Sequence, residues 1–209
     1  MVALAGACRG VDTGRVDSTA LYHTAAGPTL RITILGDSAD PRVPPAREAL
    51  AYWNGEFRRL GRRVQFDSGR VRRDFVPDDV VRAAGGEAVF GGGPSTIRLL
   101  TRLAEDSSDI VIVLTQADLI SFSVPWRRGD KGAVGIRRSD IMPLSLPNTV
   151  RNVVAHELGH VLGLQHNGDS TTLMCGRPAS CRPAAFASAN AHFFPLTPQD
   201  EQRIRNRWP

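Results

Sequence analysis

The spacing of apolar positions changes several times along the chain and divides it into elements. Residues 1–27 read as a leader, of which 9–27 are polar and glycine-containing without a sustained period. Residues 30–35 alternate and are rich in β-branched side chains, which predicts a first strand. Pro44 and Pro45 suit a helix start, and Ala46, Leu50, Trp53, Phe57 and Leu60 recur at helical steps until Gly61. Residues 64–66 read as a short second strand. A short helix is expected from Pro77, with Asp78 and Asp79 in its first turn, before a glycine-marked loop at 85–86. Residues 95–100 read as a strand, and the unbroken apolar run at 109–114 as a strand buried on both faces. Between 116 and 146 the one strand candidate is 133–136. Pro147 and Asn148 open a further helix whose Val150, Val153, Val154, Leu158, Val161 and Leu162 supply buried faces. The chain closes on a helix capped by Thr197, with Pro198 at its first position and Asp200 and Glu201 in its first turn.

The helix opened by Pro147 carries the chemistry. His156 and His160 are four residues apart, so a helix places them one turn above each other on one face. Two neutral imidazoles so placed can reach one zinc ion at about 2.0–2.1 Å. Glu157 stands beside the first ligand, where a carboxylate can serve as general base without binding metal. Gly163 can take positive φ, end the helix and turn the chain back, so that His166 arrives as a third ligand. Three protein ligands leave a fourth position open, the pattern of a catalytic zinc. The competing reading of the bare five-residue pattern is a helix with solvated histidines. Gly163 and His166 at these offsets favour the zinc site.

His156-Glu157-Leu158-Gly159-His160-Val161-Leu162-Gly163-Leu164-Gln165-His166, followed by Met174, resembles the metzincin zinc proteases and, among them, the matrixins. Asp169, three past His166, and Met174, eight past it, keep the matrixin spacing, whereas Asn167 stands where matrixins have serine. The resemblance implies an α/β fold of metzincin type: a twisted mixed sheet, an active-site helix, a tight turn at Met174 beneath the ligands and a C-terminal helix. By the same resemblance, an edge strand above the active site lies within 116–146, and 175–195 walls the pocket for the substrate side chain after the scissile bond. Some metzincins carry a tyrosine two residues past the methionine; here that position is Gly176. The implied activity is zinc-dependent endopeptidase cleavage of protein or peptide, with one catalytic Zn2+ on His156, His160 and His166. Matrixins often hold structural Ca2+, which is left unassigned because no acidic calcium loop stands out. A silent metalloprotease scaffold used for binding and a zinc hydrolase of a non-peptide bond are the alternatives.

Composition adds limits. The 209 residues suit one catalytic domain, 28–209, acting as a monomer, and 42% hydrophobic with 22% charged residues is ordinary for a globular chain. No apolar stretch is long enough for a membrane span. The net charge of +5 is carried almost wholly by arginine, Lys131 being the one lysine. Arg58, Arg59, Arg62, Arg63, Arg70, Arg72 and Arg73 read as a solvated basic strip, without the motif or aromatic platforms of specific nucleic-acid binding. Gly91, Gly92 and Gly93 lack the Walker pattern and read as loop, and His192 reads as a surface histidine. Cys175 and Cys181 bracket five residues and can close a disulfide loop in an oxidising compartment; two free thiols are the alternative. Residues 2–8 resemble a cleavage site or bacterial lipobox ending at Cys8, through which lipidation would give the sole membrane contact. An unrelated thiol fits Cys8 equally. Together these place the protein outside the cytoplasm, secreted or lipid-anchored.

Overall fold

The protein is described by a computed structural model over residues 29–88, 92–125, 131–176 and 190–208. The leader, with Cys8, lies outside the described residues, as do Cys181 and most of the expected pocket wall. Among the described residues twelve elements follow in order: β1 (Thr29–Leu30), β2 (Ile32–Leu35), α1 (Val43–Arg59), β3 (Gln65–Phe66), β4 (Arg70–Arg72), α2 (Asp78–Ala88), α3 (Pro94–Leu103), β5 (Ile110–Leu114), β6 (Phe122–Val124), β7 (Gly132–Ile136), α4 (Pro147–Val161) and α5 (Pro198–Arg207). A five-stranded sheet runs β4-β2-β5-β7-β6, parallel except for β6, and β1 pairs with β3 beside it.

The apolar run of β5 is central, and its period of two appears only in the packing. Ile110, Ile112 and Leu114 face the layer of α1, α4 and α5, whereas Val111 and Val113 face α2 and α3. α1 follows the expected stripe: Trp53 and Phe57 are fully buried, and the Trp53 indole donates to the Ala155 carbonyl at 2.9 Å, joining α1 to α4. Gly61, at φ +69°, takes the left-handed conformation that ends the helix. At the C-terminal end of β5 and β7 the fully buried Arg42 donates to the carbonyls of Thr115, Ile136 and Arg137 and pairs with Asp40 at 2.6 Å. Burial by itself raises the Asp40 pKa, but the Arg42 hydrogen bonds outweigh it and hold the carboxyl below its usual range. At the opposite end, the Lys131 ammonium donates to the carbonyls of Asp106 and Ser108.

Several sequence expectations require correction. Residues 95–100 are helical, not a strand. Pro94 starts α3, the Gly93 amide donates to the Thr96 hydroxyl at 2.7 Å, and Glu87 of α2 accepts from the amides of Ser95 (2.6 Å) and Thr96 (3.1 Å). The cap therefore comes from another helix. α2 runs on through Gly85 and Gly86, and the bare Cα of Gly85 makes room for the Phe122 ring, which a Cβ there would meet at 2.8 Å. The 30–35 strand breaks at Arg31 into β1 and β2. The basic strip is only partly solvated: Arg70–Arg72 is edge strand β4, and Arg72 pairs with Asp106 and Asp74, each at 2.8 Å. The expected strand at 133–136 is present as β7, inside the sheet, and an edge strand does lie within 116–146, as β6, which the residue pattern did not mark.

The α3 assignment predicts unequal mutational costs. Leu99 is 1% exposed and Ile97 65%, although a strand would set both on one face. Leu99→Ala is expected to cost about 2–5 kcal/mol in urea unfolding, and Ile97→Ala no more than about 0.5 kcal/mol. Equal losses would argue for the strand.

Candidate metal centre

α4 begins at Pro147 and is buried on nearly all sides, with Val150, Val154, Ala155, Leu158 and Val161 in the core. Its partly exposed strip carries His156 and His160. The helix ends as the glycine predicts. Gly163 sits at φ +96°, its amide donates to the His160 carbonyl at 2.9 Å, and the Leu164 amide donates to Gly159 at 2.9 Å. These two bonds form a Schellman terminus, which reverses the chain and brings His166 back toward the helix.

The three imidazoles meet through their Nε2 atoms. The separations are 3.1 Å for His156–His160, 3.0 Å for His160–His166 and 3.2 Å for His156–His166. Ligand nitrogens about 2.0–2.1 Å from a tetrahedral zinc stand about 3.3 Å apart, so the triangle matches within a few tenths of an ångström. Nδ1 of His156 lies 2.7 Å from the Leu173 carbonyl, and Nδ1 of His160 lies 3.0 Å from the Leu164 carbonyl. A carbonyl only accepts, so in both rings the proton sits on Nδ1 and Nε2 presents a bare lone pair. Burial pushes the His160 pKa down to about 4 and also lowers that of His166, which keeps both rings neutral near pH 7. Three converging imidazole nitrogens, with the lone pairs of His156 and His160 fixed by their Nδ1 partners, fit a cation, and the donor set fits zinc. Among the described residues this is the one such cluster, and it opens to solvent on the side of the exposed His166.

Met174 is fully buried. Its sulfur lies 2.5 Å from where a Cβ on Gly159 would stand, so the glycine between the first two histidines admits the methionine. The ligand loop and the Met174 turn are laced together. The Asn167 amide donates to the Met174 carbonyl at 2.9 Å, and the Gly176 amide donates to Asn167 at 3.1 Å. Asp169 is exposed and caps its own turn; the Thr171 hydroxyl and amide hold its carboxyl below the usual range. Cys175 is disulfide-bonded, with its partner outside the described residues. His192 is half-buried against Phe194, with ring nitrogen Nδ1 3.4 Å from the side-chain carboxamide nitrogen of Asn148, and takes no part in the triangle. Glu157, adjacent to the first ligand, is 8% exposed.

Sequence reasoning did not find Gly159, Gly176 or the orienting carbonyls of Leu173 and Leu164. A glycine inside a helix costs about 1 kcal/mol relative to alanine, and that cost was the available clue to Gly159. Backbone carbonyls leave no mark in a sequence.

Similarity to known proteins agrees with this geometry. The matrixin family model matches residues 107–205, from the threshold of β5 into α5. The crystal structure of archaemetzincin from Methanopyrus kandleri aligns with a TM-score of 0.52 at 17% identity, covering 86% of this chain and 96% of that one. The shared fold is metzincin-like.

Proposed function

We propose that this metzincin-like zinc metallopeptidase is an endopeptidase in which His156, His160 and His166 hold the metal and Glu157 is the general base. The observation that carries the reading is the triangle of converging Nε2 atoms with Glu157 one residue from its first member. Zinc held there would lower the pKa of a bound water toward about 7 and polarise the scissile carbonyl. Glu157 takes a proton from the attacking water as its oxygen bonds to the carbonyl carbon. The same carboxyl then gives that proton to the amine nitrogen as the C–N bond breaks. Carboxylate and amine products balance the consumed water, and Glu157 returns to its starting state.

Edge strand β6 is the natural seat for substrate. It packs beside α4, and an extended peptide can add to such an edge through main-chain hydrogen bonds. Backbone recognition suits an enzyme that cuts within chains. The disulfide at Cys175 supports a place outside the cytoplasm.

Casein or a peptide library supplies the test. Cleavage is expected to stop when a chelator strips the metal and to return with one equivalent of zinc. Cleavage that survives complete metal removal would sink the proposal.

A further inference from the structure

His166 is the exposed ligand and the one carried on a loop, so something outside α4 must fix its position. α5 spans that loop. At one end the Trp208 indole donates to the Leu162 carbonyl at 3.1 Å, and the Arg207 guanidinium lies over Gly163, 1.9 Å from where a Cβ would stand. At the other end Asp200, 2% exposed, accepts from the Asn167 carboxamide at 3.3 Å. The same Asp200 oxygen accepts from the Thr197 amide at 3.2 Å and hydroxyl at 2.7 Å, which ties the contact to the cap of α5.

Asn167 is the centre of this arrangement. Its Oδ1 accepts from the Asp169 amide and the Thr172 hydroxyl, both at 3.0 Å, while its Nδ2 donates to Asp200. Its own backbone pairs with Met174 and Gly176. An amide meets both demands, accepting toward the turn and donating toward a carboxylate. An aspartate can only accept, and a serine hydroxyl is too short to serve both sides.

We propose that Asn167 is a positioning residue that couples the docking of α5 to the placement of His166 and so slows release of the metal. The proposal rests on the zinc reading above. Outer groups that orient metal ligands are commonly worth about 10–100-fold in affinity.

The test measures zinc release to a chromophoric chelator from the full chain, beside the melting temperature of the metal-free protein. Asn167→Asp keeps the accepted bonds and turns the donated one into two opposed carboxylates. Release is expected to quicken about tenfold. Asn167→Ser, which introduces no charge, should also release zinc faster than wild type. A purely structural role lowers the metal-free melting temperature and leaves release from folded protein at the wild-type rate. That result overturns the proposal, and so does wild-type release from Asn167→Ser, even if Asn167→Asp folds poorly. Wild-type protein that binds no zinc defeats the zinc reading itself.

Discussion

Glu157→Gln is expected to leave a folded, zinc-loaded protein whose peptide cleavage is slower by about 10²–10⁴. Glutamine matches glutamate in shape, so a side chain only 8% exposed can be replaced without opening a cavity. What disappears is the ability to take a proton at neutral pH. That range corresponds to roughly 2.7–5.4 kcal/mol of transition-state stabilisation. The decisive measurements are kcat/KM on a peptide, zinc content and melting temperature, taken together on both proteins. Wild-type cleavage by the variant would remove Glu157 from the mechanism. Full zinc binding with no cleavage by either protein would favour a scaffold that only binds.

Much of this site is legible in the sequence because it is local. His156, Glu157 and His160 occupy little more than one helical turn, and Gly163 with His166 adds a single reversal, so spacing alone predicts convergence. β5 is legible for a similar reason, since an unbroken apolar run of that length suits a strand covered on both faces. α3 escapes because its evidence is not local. Thr96, Leu99 and Leu103 form its buried face, but Thr96 and Ile97 also suit a strand, and the carboxylate that caps the helix comes from Glu87. The edge strand escapes because β6 has three residues, of which only Phe122 is fully buried. Its Phe122 ring fits over the bare Cα of Gly135 in β7, where a Cβ would stand 2.3 Å from it. A glycine in a strand hints at such an approach without naming the partner.

Gly176 poses the same problem at the metal centre, and its substitution should be severe for its size. A Cβ there would stand 2.2 Å from both Cγ and Cδ2 of His166 and 2.6 Å from Nδ1. The ring cannot give way cheaply, because its Nε2 completes the triangle with His156 and His160. Gly176→Ala is therefore expected to weaken zinc binding about a hundredfold, the upper end of effects from groups that orient ligands. Gly168→Ala is the matched control: it lies two residues from His166 on the same loop, and its added Cβ meets nothing within 4 Å. Chelator competition should separate the two variants, with Gly168→Ala binding as wild type does. Equal affinities for all three proteins would mean that His166 does not need the bare backbone of Gly176 and that its ring is held differently.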